Sequence, residues 1–171
     1  MGWGKTEFGV SRNYTERLCC GHLKDAVGRC PEMPIKKQEF YEGAALHLLA
    51  STERIVGIVH RPPFFLLNGR VLVLLKYSTK NRSPWGFTFT ENEQGRLQTR
   101  SSKYETKIGL VCGSDGVVAL AYQDFLEIAK PRSGTVHVAC YRQHGEFYEV
   151  NGPDGTLNRK IPPSGWQKIF D

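Results

Sequence analysis

The sequence predicts an α+β domain with an α/β core, in which a mixed central β-sheet built around an Asn-Gly hairpin is flanked by helices. Three observations lead there. Apolar residues recur at helical spacing between residues 36 and 52, short apolar or β-branched runs follow from residue 55 onward, and Asn68-Gly69 joins two of those runs.

In chain order, residues 1–34 are polar and punctuated by Gly21, Gly28, Pro31 and Pro34, and read as an N-terminal lead with one short helix near 15–27. Residues 35–171 read as one globular domain. Over 36–52, Phe40, Tyr41, Ala44, Ala45, Leu48 and Leu49 form one stripe of an amphipathic helix that packs on the core. Strands are expected at 55–60, 64–67, 71–77, 85–90, 107–112, 117–122 and 136–141, with a shorter run at 147–150. A short helix is expected at 123–130. Asn-Gly flanked by apolar runs is the strongest short hairpin signal. Both arms of this hairpin are apolar at nearly every position, as in strands covered on both faces, so the hairpin belongs in the middle of its sheet.

The 171 residues suit one domain, and 40% hydrophobic with 23% charged residues excludes wholesale disorder, collagen and coiled coil. No apolar run reaches the roughly 18 residues that a membrane helix requires. The first residues lack the apolar stretch of a secretory signal, so a cytoplasmic setting and no membrane partner are the expectation. Five cysteines, grouped as Cys19, Cys20 and Cys30 with Cys112 and Cys140 far away, read as reduced thiols. Cys19, Cys20, His22 and Cys30 offer soft ligands but lack the paired spacing of a zinc site, and no metal ligand set is assigned. Cys112 precedes Gly113-Ser114-Asp115-Gly116, a turn sequence. It reads as a buried side chain, with a nucleophile served by His137 or His144 as the competing reading.

Net charge is +6, and its distribution is uneven. Between Glu53 and Glu91 there is no acidic residue, whereas Arg54, Arg61, Arg70, Lys76, Lys80 and Arg82 fall inside that window. A polyanion is the natural partner, and nucleic acid is the expectation. Arg61, Arg70, Lys76, Lys80 and Arg82 are the candidate phosphate contacts. Trp85 is the candidate stacking aromatic, with Phe87 beside it, although core packing is the ordinary role of such a ring.

Residues 63–78, Pro-Phe-Phe-Leu-Leu-Asn-Gly-Arg-Val-Leu-Val-Leu-Leu-Lys-Tyr-Ser, resemble the core hairpin of the PD-(D/E)XK, or restriction-endonuclease-like, superfamily. The resemblance spans about residues 36–120 and rests on pattern more than on identities. It implies an Asp on the first strand, an acid or Gln two positions before a Lys on the second, and a Glu on the preceding helix. Lys76 matches the lysine and Glu42 the helical Glu, and these are the candidate catalytic residues. Phe65 stands where the Asp is implied and Leu74 where the second acid is.

In that chemistry carboxylates hold Mg2+, which activates the attacking water, while the lysine steadies the developing charge. Losing the acids while keeping the lysines turns a cation site into an anion site. The resemblance therefore implies a nucleic-acid-binding protein, most naturally DNA-binding, with an incomplete metal site. An active nuclease would need Mg2+ and relocated acids drawn from Glu42, Glu91, Glu93 or Asp115, with Ser78 and Lys80 as a shifted pair. A protein-interaction module or a Cys-dependent enzyme is the reading outside nucleic acid. A homodimer or a partner subunit is the implied assembly.

Overall fold

The computed structural model describes residues 34–171, so the expected helix at 15–27 and the Cys19, Cys20, His22 and Cys30 group lie outside the described residues. Residues Lys36–Asp171 form a compact unit. No helix among the described residues is long and apolar enough to cross a membrane.

The clearest sequence signals become the centre of the molecule. Helix α1 (Lys37–Ala50) leads into strands β1 (Ile58–Arg61), β2 (Phe64–Leu67) and β3 (Val71–Ser78). Asn68 at φ 50° and Gly69 at φ 69° make the turn, which the Arg70 N–H closes on the Leu67 carbonyl at 3.0 Å, and Arg70 completes a three-residue loop before Val71 pairs with Leu67. The Asn68 amide does more than turn the chain. Its Oδ1 accepts from the Val56 and Gly57 N–H groups at 2.8 and 3.2 Å, and its Nδ2 donates to the Arg54 carbonyl at 2.7 Å. Those bonds hold residues 54–57 out of the ladder, so β1 starts at Ile58 rather than at the expected residue 55.

After β3 come β4 (Trp85–Phe89), α2 (Glu91–Ser101), β5 (Glu105–Cys112), β6 (Val117–Ala121), α3 (Tyr122–Ile128), β7 (Val136–Tyr141), β8 (Glu149–Gly152) and β9 (Gly155–Thr156). The central sheet runs β1-β2-β3-β5-β6, with β3 and β5 parallel and the other neighbours antiparallel, so it is mixed and the hairpin is interior. Strands β4, β7, β8 and β9 form a second, antiparallel sheet. The alternation of buried and exposed residues along β4, with Trp85, Phe87 and Phe89 inward, is that of a sheet with one wet face.

Both faces of the hairpin are covered. On one side Phe65, Leu67, Val71, Val73 and Leu75 meet Ala45 and Leu49 of α1 together with Trp166. On the other, Phe64, Leu66, Leu72 and Leu74 meet Leu97 of α2, Phe125 of α3 and the inner face of the second sheet. Helix α1 and the C-terminal segment around Trp166 supply one cover, and helices share the other with strands. The buried line of α1 is Glu42, Ala45 and Leu49, while Phe40 of the expected stripe is 65% exposed.

Helix α2 was not expected, because only Gln94 and Leu97 are buried along it. Its start is nevertheless written locally. The Thr90 N–H donates to Glu93 Oε2 at 2.9 Å and the Glu93 N–H to Thr90 Oγ1 at 3.3 Å, a capping box. Buried Gln94 anchors the helix by polar means, donating to the Phe89 and Gly134 carbonyls and accepting from the Arg132 N–H.

The loop 79–84 lies close against the β5–β6 turn. Gly113 has φ +58°, and a Cβ there would stand 2.3 Å from the Lys80 carbonyl oxygen. Gly113→Ala is expected to cost about 3 kcal/mol, combining left-handed strain with displacement of backbone. Urea unfolding checks this, and a loss under half that size would mean the loop gives way freely.

Candidate nucleic-acid interface

Strand β3 outruns its partner β2, which begins at Phe64 opposite Leu74, so Leu75, Lys76 and Tyr77 have a free edge. A cleft of about 330 Å³ opens there, lined among others by Gln38, Pro63, Lys76, Thr88 and Glu93. The Lys76 ammonium donates to both Glu93 oxygens at 2.9 and 3.2 Å and lies 5.4 Å from the Phe89 ring centroid. Gln38 Nε2 donates to Glu42 Oε1 at 2.8 Å, which links the buried Glu42 to the cleft wall. Lys76 lines the cleft with Gln38, Thr88 and Glu93, whereas Glu42 stands behind Gln38, outside the lining, so the fold does not bring the two candidate catalytic residues into contact.

The donor set does not suit a divalent cation. Across the ladder from Leu74 stands Phe64, and Phe65, where the Asp was implied, faces the α1 side and stacks on His60. Neither strand carries a carboxylate or side-chain amide, and Glu93 is committed to Lys76. Among the described residues no three His, Cys, Asp or Glu side chains come together as a metal group.

Burial raises the Glu93 carboxyl, but the Thr90 backbone N–H, the Lys76 ammonium and the Thr90 hydroxyl outweigh it and hold the group below its ordinary value of 4.5. A carboxyl lowered in the folded chain binds fewer protons there than in the unfolded chain. Its contribution to stability is therefore full above the ordinary value and is lost as pH falls through the folded value. Glu93→Gln, which preserves the capping box, is expected to flatten the fall in stability below pH 4.5. Urea midpoints at stepped pH read this out, and an unchanged acid limb would show that the pair adds nothing.

Next to the cleft, on the same side of the sheet, lies a pocket of about 220 Å³ lined among others by Arg61, Arg96, Arg100 and Tyr104. Arg61 is the last residue of β1, and its Nη1 donates to the Tyr104 hydroxyl at 3.4 Å. Glu93, Arg96 and Arg100 stand at spacings of three and four along α2, on one face of the helix, so α2 joins cleft and pocket.

Ion pairing sorts the cations. Arg54 pairs with Asp171, Arg70 with Glu105 at 3.9 Å and Lys76 with Glu93. Lys107, Arg132, Arg142, Arg159 and Lys160 are paired too. Arg61, Lys80, Arg82, Arg96 and Arg100 have no carboxylate within 4.0 Å among the described residues.

The residues singled out from sequence therefore separate. Lys76 and Arg61 line adjoining cavities, and Lys80 and Arg82 lie exposed in the loop beyond β3. Arg70 sits at the opposite end of β3, roughly 20 Å from Lys76 at about 3.3 Å per residue, and is not part of this surface. Trp85 is corrected to a core residue. It is 2% exposed, its Nε1 donates to the Lys80 carbonyl at 2.9 Å, and no ring face is free for a base. Phe87 is buried as well.

The remaining acids have structural partners. Glu91 accepts from the Gly134 N–H at 3.1 Å, and Asp115 accepts from Arg142 at 2.7 Å and Tyr148 at 2.5 Å. Ser78 is buried, its carbonyl accepting from the Gly113 N–H. Cys112 is fully buried, and the Cys140 side chain and then burial push its thiol far up. A thiol so placed stays protonated and does not serve as a nucleophile. Sequence reasoning missed Arg96 and Arg100 because it missed α2, whose signal was the Thr90 to Glu93 capping box, and with them Tyr104, which precedes β5.

No protein-family model, curated protein or solved structure matches this chain.

Proposed function

We propose that this chain is a nucleic-acid-binding protein, with DNA the expected partner, built on a restriction-endonuclease-like scaffold whose metal site is incomplete. The observation that carries the reading is the group of three unpaired arginines, Arg61, Arg96 and Arg100, beside the Lys76 cleft. A phosphate backbone is bound chiefly by Lys and Arg that displace its counterions, and paired cations have little to give. Exposed Lys80 and Arg82 extend the surface past the end of β3. The helix, the Asn-Gly hairpin and the lysine near the end of its second strand supply the likeness to the nuclease scaffold. The lack of carboxylates on β2 and β3 supports binding without cutting. The buried free thiols Cys112 and Cys140 agree with a cytoplasmic setting, which is part of the proposal. A homodimer or a partner subunit would enlarge the footprint.

A second reading, an active nuclease with a relocated acid, draws on Glu93 beside Lys76. Equilibrium binding to a labelled duplex and its single strand across a salt series, with magnesium and then with chelator, separates them. Steep salt dependence without cleavage is the expected result. Magnesium-dependent cleavage would transfer the case to the nuclease, and no binding at low salt would overturn both.

Lys76 gives a sharper check. With Glu93 neutralised, its ammonium becomes available, so Glu93→Gln is expected to tighten binding and steepen the salt slope by about 0.7 to 0.9. An unchanged slope would remove Lys76 from the phosphate path.

A further inference from the structure

We propose that the pocket formed by Arg61, Arg96, Arg100 and Tyr104 seats the terminal phosphate monoester of a nucleic-acid strand. This rests on the nucleic-acid reading and specifies one subsite within it.

Three arginines from two elements line one pocket of about 220 Å³. Arg61 comes from the end of β1, and Arg96 and Arg100 stand one turn apart on α2. The rest of the lining is Pro62 with the buried Phe64 and Leu72, which have no side-chain donors, so the polar side chains that a ligand meets are the three arginines and Tyr104. No carboxylate neutralises any of the three among the described residues.

The charge and donor count select the ligand. A carboxylate brings one charge and two oxygens. An internal phosphodiester also brings one charge and two free oxygens, and its chain must both enter and leave the site. A terminal phosphate brings about −1.5 to −2 charges and three acceptor oxygens, and its chain needs only to enter. Planar guanidinium forks match such oxygens in pairs. The Tyr104 hydroxyl accepts from Arg61, which leaves its own hydrogen to donate to a phosphate oxygen. From the pocket, the strand would run along α2 past the Lys76 cleft toward Lys80 and Arg82.

The test uses the full chain and three strands of one sequence, ending in a 5′-phosphate, a 3′-phosphate or hydroxyls only, each labelled internally. One phosphorylated end is expected to bind at least tenfold tighter than the hydroxyl strand, and the preferred end tells the strand's polarity. Arg96→Ala with Arg100→Ala should erase that ratio while salt-dependent binding persists. Arg96→Lys with Arg100→Lys, which keeps the charge and the exposed surface but loses the forks, should erase most of it too. Equal binding of all three strands by the unaltered chain, with steep salt dependence intact, would overturn the terminal-phosphate seat and leave the nucleic-acid reading standing. No binding of any strand at low salt would overturn that reading, and the seat with it.

Discussion

Replacing Arg61, Arg96 and Arg100 together by alanine is expected to lower the slope of log K against log salt by about 2 on a single strand and by nearly 3 on a duplex, from roughly 0.7 and 0.9 per phosphate contact. The loss at physiological salt should exceed a hundredfold, because the three side chains make up more than half of the five unpaired cations on this surface. All three are exposed, so the fold should be little affected, within about 0.5 kcal/mol each. The informative control is the paired set. Arg54, Arg132 and Arg159, held by Asp171, Asp154 and Asp124, should change the slope far less when replaced together. Their surface ion pairs are worth about 0 to 1 kcal/mol each, a stability effect and not a binding one. Equal slope changes in both triples would show that net charge, rather than this arrangement, governs binding.

The largest loss of stability is expected at Trp166. Its ring is 1% exposed, its Nε1 donates to the Ala45 carbonyl at 2.8 Å, and a Cβ at Gly109 would come within 2.9 Å of it. Glycine at 109 is thus what lets the indole lie flat on β5. With Ala45, Leu49, Val73 and Leu75 around it, Trp166 joins α1 to the sheet. Trp166→Ala should cost about 3 to 5 kcal/mol. That is a large share of the 5 to 15 kcal/mol typical of a domain, so the variant should be partly unfolded at 37 °C. Because α1 carries Gln38 and Glu42, the cleft should loosen first. Urea unfolding followed by far-ultraviolet dichroism measures this, and a loss below 1 kcal/mol would mean that the C-terminal segment is not needed to hold α1.

Much of the scaffold is legible in the chain because it is written in local, periodic signals. The Asn68-Gly69 pair announces its hairpin, and the continuous apolar arms announce strands covered on both sides. The second sheet is legible only as separate strands, since nothing local in residues 85–89 or 136–141 says which sheet they join. Helix α2 hides because it is held by a cap and by buried Gln94 rather than by an apolar stripe. The acid-free window correctly marks a basic segment, yet it cannot show which cations are spent. Arg54 meets its partner 117 residues away and Lys76 meets Glu93 17 residues away. Trp85 looks like an available aromatic in sequence, and only the inward alternation of β4 decides that it is core.

The central claim is that the unpaired arginines, and not the paired ones, meet the ligand. The most direct measurement follows the arginine Nε–Hε signals of the 15N-labelled chain during titration with a short single strand at low salt. The signals of Arg61, Arg96 and Arg100 should shift and saturate together at the affinity found by binding, while those of Arg54, Arg132 and Arg159 hold still. Saturated binding that leaves the first three unmoved would contradict the account.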